Sequence, residues 1–182
     1  MRADARRNYE RLLKAAVEAF SEHGERASLD DIAKRAGVGT GTLYRHFPSR
    51  RDLLEAAYLD RIEAIAARAD VLAARLAPGE ALVAWLGELG AGALRVCGLK
   101  ALLGSAVTDD GPACGDRLRV AADRLVRAAQ DEGTLRSDVE PIEVLRLAHA
   151  VATASEAADS GGGQIRRYLE LLLGGLRPRD GG

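Results

Sequence analysis

A short polar run near the N-terminus carries the side chains best suited to bind a polyanion. Between Thr40 and Phe47 the sequence reads Thr-Gly-Thr-Leu-Tyr-Arg-His-Phe, and most of these side chains donate hydrogen bonds. Hydroxyl, guanidinium and imidazole groups are donors that phosphates and base edges accept. Gly39 and Gly41 leave room for an anion to approach the backbone N–H groups. This pattern favours recognition of phosphates and bases.

Side chains for catalysis or metal binding are few and scattered. The three histidines, His23, His46 and His149, lie far apart, and the two cysteines, Cys97 and Cys114, are not spaced as a metal pair. An enzyme would need a nucleophile–base pair, a carboxylate pair or a metal site. We therefore expect no catalytic residue, no metal site and no cofactor. Two reduced thiols are favoured over a redox switch between the cysteines.

Apolar spacing places the polar run on the third of three short N-terminal helices. The inner face of the first helix is predicted to contain Tyr9, Leu13, Ala16, Val17 and Phe20. Ser28 opens a second helix over 28–36, which stops at Gly37. The third covers 39–47, with Leu43 and Phe47 turned inward and the polar side chains outward. Two short helices joined by a glycine turn predict a helix-turn-helix, whose second helix fits the DNA major groove.

Only helices are predicted after Pro48. Ser49 and Asp52 repeat the capping pattern and open a long fourth helix with no breaker before Pro78. Further helices are expected at 79–95, 98–107, 113–132, 141–158 and 164–177. The predicted fold class is therefore all-α. It comprises a three-helix helix-turn-helix DNA-binding domain over 1–49, a helical effector-binding and dimerisation domain over 50–178, and a flexible tail over 179–182.

Charge is unevenly distributed along the chain. Residues 1–51 hold 11 Lys/Arg and 7 Asp/Glu, whereas residues 52–182 hold 15 and 20, and the net charge is −1. A basic head on an acidic body suits a protein that meets a polyanion at one end. No apolar run approaches the ~18 residues that span a bilayer, and the N-terminus lacks a signal-peptide core. We expect a soluble, cytoplasmic protein without membrane contact.

The N-terminal third resembles the TetR family of bacterial regulators. The resemblance covers residues 8–54 and includes Ser-Leu-Asp-Asp-Ile-Ala at 28–33 and Ala-Gly-Val at 36–38. Its most specific part is Gly-Thr-Leu-Tyr-Arg-His-Phe-Pro-Ser-Arg at 41–50. Arg50 stands where the family usually carries lysine. Gly39 stands where it usually carries serine, which caps the helix and donates to a phosphate. Beyond Leu54 the match is limited to the helical layout.

The resemblance implies how this head meets DNA. It implies that phosphates are contacted mainly by Thr42, Tyr44, His46 and Arg50. The positions that it places nearest the bases are Thr40, Gly41 and Arg45. The DNA-binding residues predicted in this way are Ser28, Thr40, Gly41, Thr42, Tyr44, Arg45, His46 and Arg50. The position of Arg50 and Arg51 in the first turn of a helix also favours a nearby phosphate, because the helix dipole disfavours cations there by up to about 1 kcal/mol.

One such head makes few contacts, so specificity requires two copies on successive major grooves, about 34–36 Å apart. We therefore expect a homodimer on a near-palindromic double-stranded operator. The predicted interface uses the helices near 141–158 and 164–177. Its stripes are Leu145, Ala148, Val151, Ala152 and Ser155, then Ile165, Tyr168, Leu169, Leu172 and Leu176, widened by Leu171 and Leu173. The alternative is that these stripes pack only inside the monomer.

The remaining body is predicted to hold a small, largely apolar effector that tilts the fourth helix. The candidate contacts are Trp85, Leu89, Val96, Cys97, Leu99, Leu103 and Leu118, each of which a plain core also explains. The prediction is a repressor released from its operator by a small molecule. Two alternatives remain: an effector-independent DNA-binding regulator or activator, and an all-helical enzyme acting on a small hydrophobic substrate.

Overall fold

The computed structural model describes residues 2–95, 113–157 and 162–178 of the 182-residue chain. These ranges contain α-helices, one turn of 3-10 helix at Gly24–Arg26, and no strand. The helices are α1 (Arg2–His23), α2 (Leu29–Arg35), α3 (Thr40–His46), α4 (Arg50–Ala73), α5 (Pro78–Arg95), α6 (Ala113–Asp131), α7 (Pro141–Ala157) and α8 (Gly162–Gly175). The all-α prediction is confirmed. The helix predicted at 98–107 and the tail at 179–182 lie outside the described residues.

The starts of α2 and α4 follow their capping residues. Ser28 accepts a hydrogen bond from the Asp31 N–H at 3.4 Å. Ser49 and Asp52 form a reciprocal capping box, in which the Ser49 N–H donates to the Asp52 carboxylate at 2.8 Å and Ser49 Oγ accepts from the Asp52 N–H at 3.2 Å. Such caps satisfy N–H groups that have no partner within the helix. Both predicted helix starts are confirmed.

Gly37 ends α2 and makes the turn into α3. Its φ of +64° lies in the left-handed region that favours glycine. The Gly37 N–H donates to the Lys34 carbonyl and the Val38 N–H to the Ala33 carbonyl, both at 3.0 Å, which is the Schellman pattern of helix ends. A Cβ at position 37 would also overlap the guanidinium of Arg11. The positive φ is the reason why the turn favours glycine, since the exposed Arg11 side chain can move aside.

The buried face of α1 is rotated relative to the prediction. Tyr9 and Val17 are 37% and 36% exposed, so their predicted place on the inner face is wrong. α1 packs against both α2 and α4, and those helices meet it along a row rich in alanine, which permits close approach. The buried residues of α1 are Leu12, Ala15, Ala16, Ala19 and Phe20.

Helix α4 belongs both to the N-terminal helices and to the body. It packs against α1 and also against α5 and α6. Three ion pairs reinforce these contacts. Arg68 pairs with Glu88 on α5 at 2.7 Å, and α6 is joined by Glu63 with Arg117 at 3.0 Å and by Asp70 with Arg124. The buried side chains of α4 are Leu53, Tyr58, Ile62, Ile65, Ala69 and Leu72. A movement of α4 relative to the body would therefore reach the N-terminal helices.

The core of the body surrounds Trp85 on α5. Its side chain is fully buried, and the indole N–H donates to the Ile65 carbonyl on α4 at 2.9 Å. Gly90, one turn further along α5, lets α8 approach closely, since a Cβ there would stand 3.0 Å from the Ile165 side chain. Helix α7 also packs on α5. The two C-terminal helices thus rest on α5 within one chain.

This packing corrects the residues predicted to face a partner. Most of the predicted stripes are buried against the chain's own core, so that assignment is wrong for Leu145, Ala148, Ala152, Ser155, Ile165, Leu169 and Leu173. The reason is that α5 and α6 already cover that side of α7 and α8. Val151, Tyr168, Leu172 and Leu176 are partly buried. Leu147 and Leu171, at 36% and 57% exposed, form the outward apolar surface.

Within the described ranges, no helix combines the length and the apolar character needed to cross a bilayer.

Candidate nucleic-acid interface

Helix α3 has one buried and one exposed face. Leu43 and Phe47 are 1% and 3% exposed, which confirms the inward face predicted from their spacing. Thr42 and His46 are half-buried. The other polar positions of the helix are exposed, namely Thr40, Gly41, Tyr44 and Arg45. The structure therefore brings the six predicted side chains and backbone positions of α3 together on one outward surface, which we call the α3 face.

A hydrogen bond within α3 orients its arginine. An Arg45 terminal nitrogen donates to Thr42 Oγ1 at 3.0 Å, one turn earlier in the helix. The bond uses the hydroxyl oxygen of Thr42 as acceptor, so its hydrogen remains able to donate to an anion. Arg45 keeps further N–H groups for a second partner. The pair presents a guanidinium and a hydroxyl side by side.

Tyr9 of α1 packs against the end of α3. Its ring stacks on Phe47 with centroids 5.2 Å apart, and it meets the His46 ring edge-on at 6.0 Å. Offset and edge-on contacts of this kind are the favoured geometries of aromatic pairs. The His46 ring is thereby held in one orientation at the edge of the α3 face. The apolar spacing predicts only that Tyr9 shares a face with Leu13 and Phe20, and it does not indicate these ring contacts, which depend on where α1 meets the end of α3.

The N-terminal end of α3 has unfilled space around it. Gly39 is the N-cap residue, with φ −73° and ψ 150°, and no side chain caps the helix. A Cβ added at Gly39 or at Gly41 would meet no atom within 4 Å. These backbone angles are open to any residue, and serine is the favoured cap in this conformation. The glycine at position 39 therefore leaves out a hydroxyl that the structure has room for.

Arg11 lies beside the turn that leads into α3. Its guanidinium stands over Gly37, close enough that a Cβ on that glycine would overlap it. Both residues are exposed. Arg11 thus adds a positive charge next to the α2–α3 turn. The linear sequence does not indicate this position, because Arg11 and Gly37 are 26 residues apart. The only sequence signal was a basic residue on the outer side of α1.

Arg50 and Arg51 have different surroundings although they are neighbours. The Arg50 guanidinium donates to the Gly24 carbonyl at 3.1 Å and to the Ala27 carbonyl, and it lies 5.0 Å from the centroid of the Phe20 ring. Arg51 is exposed and pairs with Glu55 at 3.0 Å. The predicted phosphate contact of Arg50 thus involves a side chain that already has partners inside the protein.

An ion pair joins α1 to α2. Arg35 donates to the Glu22 carboxylate at 2.6 Å. This hydrogen bond, together with the positive charge of Arg35, holds the pKa of Glu22 below its ordinary value. Glu22 is therefore ionised at neutral pH and offsets one positive charge of the head. Both side chains are at the surface, so the pair contributes little to stability.

The predicted effector contacts are only partly within the described residues. Trp85, Leu89 and Leu118 are buried in the core at 0%, 5% and 1% exposure, while Val96, Cys97, Leu99 and Leu103 lie outside those residues. Surface grooves of 590, 520 and 350 Å³ occur elsewhere on the described part of the body, and none of them is lined by these three side chains. No cluster of His, Cys, Asp or Glu suited to a metal ion occurs in the part of the chain that the structure describes.

Two sequence families match this chain. The family described as bacterial regulatory proteins, tetR family, matches residues 12–57. The family described as transcriptional regulator SbtR-like, C-terminal domain, matches residues 77–178. A curated relative, an HTH-type transcriptional regulator of Staphylococcus aureus, is 48% identical over 54 residues, which is only 29% of this chain and 29% of the relative. The likeness to that relative thus extends over about the length of the helix-turn-helix domain.

Solved structures extend the likeness over the whole chain. A TetR transcriptional regulator from Streptomyces coelicolor is 35% identical, with a TM-score of 0.58 over 93% of this chain and 98% of that chain. FadR of Thermus thermophilus, solved with lauroyl-CoA, has a TM-score of 0.66 over 96% of this chain and 100% of its own. At 23% identity, the likeness to FadR shows the fold alone. Together with its helix-turn-helix and helical body, these matches place the chain in the TetR family of bacterial transcriptional regulators.

Proposed function

We propose that this protein is a homodimeric repressor that binds a near-palindromic operator through α3. The observation that carries the proposal is the α3 face itself, a continuous set of hydrogen-bond donors and glycine backbone above a fully buried apolar seam. A helix of this kind fits the major groove and can approach both phosphates and base edges. The family to which the chain belongs consists of DNA-binding regulators of transcription, which supports the same reading.

The proposed contacts divide into those that position the protein and those that read sequence. The resemblance to the family implies that Thr40, Gly41 and Arg45 read bases, and Arg45 is held beside Thr42 by its hydrogen bond. The phosphate contacts are assigned to Ser28, Thr42, Tyr44 and His46, with Arg11 as an addition. Phosphate contacts set register and affinity, whereas base contacts set specificity.

We assign the dimer interface to the outward faces of α7 and α8. Leu147 and Leu171 are exposed there, with the partly buried Val151, Tyr168 and Leu172 beside them. A two-fold axis through these faces would bury them in a four-helix arrangement. This interface differs in its residues from the stripes expected from sequence, although it uses the same two helices.

A small, largely apolar effector is proposed to bind in the body, where Trp85, Leu89 and Leu118 would contact it only if the core opens around them. The support is that FadR of Thermus thermophilus, which shares the fold, was solved with lauroyl-CoA. Because α4 contacts both the body and α1, a ligand that displaces it would alter the separation of the two α3 helices. A ligand must favour the non-binding state by several kcal/mol to switch operator occupancy. An effector-independent regulator is the second candidate.

The proposal is tested by selecting bound DNA from a random duplex pool. The expected product is an inverted repeat whose half-site centres are about 34–36 Å apart. Arg127→Ala serves as a control, because Arg127 is exposed on α6 and, among the described residues, pairs within its own helix with Asp123 at 3.0 Å. It should select the same sequence. Recovery of no motif, or of a single unrepeated half-site, would contradict the dimeric repressor. Release of the selected duplex by apolar compounds then separates the two regulatory candidates.

A further inference from the structure

The Arg50 side chain is turned into the junction between α1 and α2. One terminal nitrogen donates to the Gly24 carbonyl at 3.1 Å and the other to the Ala27 carbonyl. The guanidinium carbon stands 5.0 Å from the centroid of Phe20, within cation–π range. A planar guanidinium fork suits this arrangement, whereas a single ammonium point charge cannot span two acceptors in the same way.

The acceptors explain why a cation occupies this position. Ala27 is 3% exposed and precedes the cap of α2, so its carbonyl lies outside the helical hydrogen-bond pattern. A buried carbonyl of this kind needs a donor. Arg50 supplies that donor from the first turn of α4, where the helix dipole alone would disfavour its charge. The placement of Arg50 is therefore accounted for without a phosphate.

These contacts join two parts of the molecule that the regulator must keep in register. Arg50 ties the beginning of α4 to the α1–α2 junction, and the ion pairs of Arg68 and Glu63 tie the middle of α4 to α5 and α6. We propose that Arg50 is a positioning residue that fixes the orientation of α1–α3 on α4, and thereby the spacing of the two α3 helices in the dimer. The inference rests on the proposed function and departs from the phosphate contact that the family resemblance implies for this position.

The two roles make different demands on the side chain. A phosphate contact by Arg50 would use its positive charge, which lysine supplies as well as arginine. A fork across two carbonyls over an aromatic ring requires the guanidinium. The slope of log K against log salt is negative, and removing a phosphate contact from both subunits reduces its magnitude by about two, since each contact contributes about 0.9. Loosening the head leaves that slope unchanged and makes the protein more tolerant of altered half-site spacing.

The experiment uses the duplex selected by the wild-type protein and two derivatives, with one base pair inserted or removed between the half-sites. Dissociation constants are measured over a range of salt for the wild type, Arg50→Ala, Arg50→Lys and Arg51→Ala. Arg51→Ala is the matched control, because it removes the same charge from the same helical turn. Helical content and active concentration are measured for each variant.

We expect Arg50→Ala to bind the selected duplex roughly tenfold more weakly, because the head is no longer held in its orientation. This corresponds to about 1.4 kcal/mol of binding free energy. Its salt slope should equal that of the wild-type protein. Relative to the selected duplex, the two duplexes of altered spacing should weaken the binding of Arg50→Ala much less than they weaken the binding of the wild type. Arg50→Lys should resemble Arg50→Ala in spacing tolerance although it keeps the charge.

Three results would overturn the inference. A salt slope reduced by about two in Arg50→Ala and restored in Arg50→Lys identifies a phosphate contact. An equal loss of affinity for all three duplexes identifies a general loss of folded protein. Affinities unchanged in both variants show that Arg50 has no part in binding. A wild-type protein that selects no duplex refutes the proposed function instead, and it does so before any Arg50 variant is made.

Discussion

Replacing Gly39 with serine should strengthen operator binding, because the structure leaves a place for the missing hydroxyl. A Cβ at position 39 meets no atom within 4 Å, and the backbone angles there are those of an ordinary N-cap. The serine hydroxyl can accept from the free N–H groups of the first turn of α3 and donate to a phosphate. The cap itself contributes only a few tenths of a kcal/mol relative to glycine.

The larger effect is on DNA affinity. One added hydrogen bond contributes about 0.5–1.5 kcal/mol, so two in a dimer give about 1–3 kcal/mol, or about 5- to 150-fold tighter binding. The hydroxyl carries no charge, so the salt slope should not change. Fluorescence anisotropy with the selected duplex measures both quantities. Gly39→Ala is the control, since it adds the Cβ without the hydroxyl. If the serine variant binds no more tightly than the alanine variant, the placement of position 39 against a phosphate is refuted.

Three further predictions concern stability, each measured by urea unfolding followed by circular dichroism. Gly37→Ala should lower the free energy of unfolding by about 1–2 kcal/mol, because φ is +64° and the new Cβ displaces Arg11, whereas Gly41→Ala, in open space, should not destabilise the protein. Trp85→Phe should cost about 2–3 kcal/mol, through the lost hydrogen bond to Ile65 and the cavity left by the smaller ring; an unchanged midpoint would argue against the buried indole. Arg68 holds the pKa of Glu88 below its ordinary value of 4.5, chiefly by donating a hydrogen bond, so this pair stabilises the fold above pH 4.5 and loses its effect as pH falls through the lower folded pKa. Glu88→Gln should remove that part of the pH dependence, worth no more than about 1 kcal/mol at this partly exposed site, and an unaltered pH profile would contradict the pairing.

Features encoded within a few residues of each other were predictable from the sequence. Ser28 with Asp31, and Ser49 with Asp52, set the starts of α2 and α4 through hydrogen bonds across three residues. The spacing of four residues between two apolar side chains defined the buried seam of α3, and with it the exposed polar face. These are local interactions, and so the helices and the α3 face follow from the sequence pattern.

Features that depend on which helices become neighbours were not predictable. Arg50 reaches carbonyls that lie 23 and 26 residues earlier in the chain, and Tyr9 contacts rings at the far end of α3. The apolar stripes of α7 and α8 were assigned to a partner, yet α5 covers much of them within the monomer. An apolar stripe indicates that a helix face is buried, but it does not identify the surface that buries it.

The central claim is that α3 reads DNA sequence, and the most direct test is the base preference of Arg45→Ala. Affinities of the wild type and this variant would be measured for every single-base substitution in one half-site of the selected duplex. A base contact by Arg45 predicts that substitutions at one or two adjacent positions cost the wild type about 1–3 kcal/mol each. The variant should lose the preference at those positions and keep it elsewhere. Identical preference profiles for the two proteins would contradict the account.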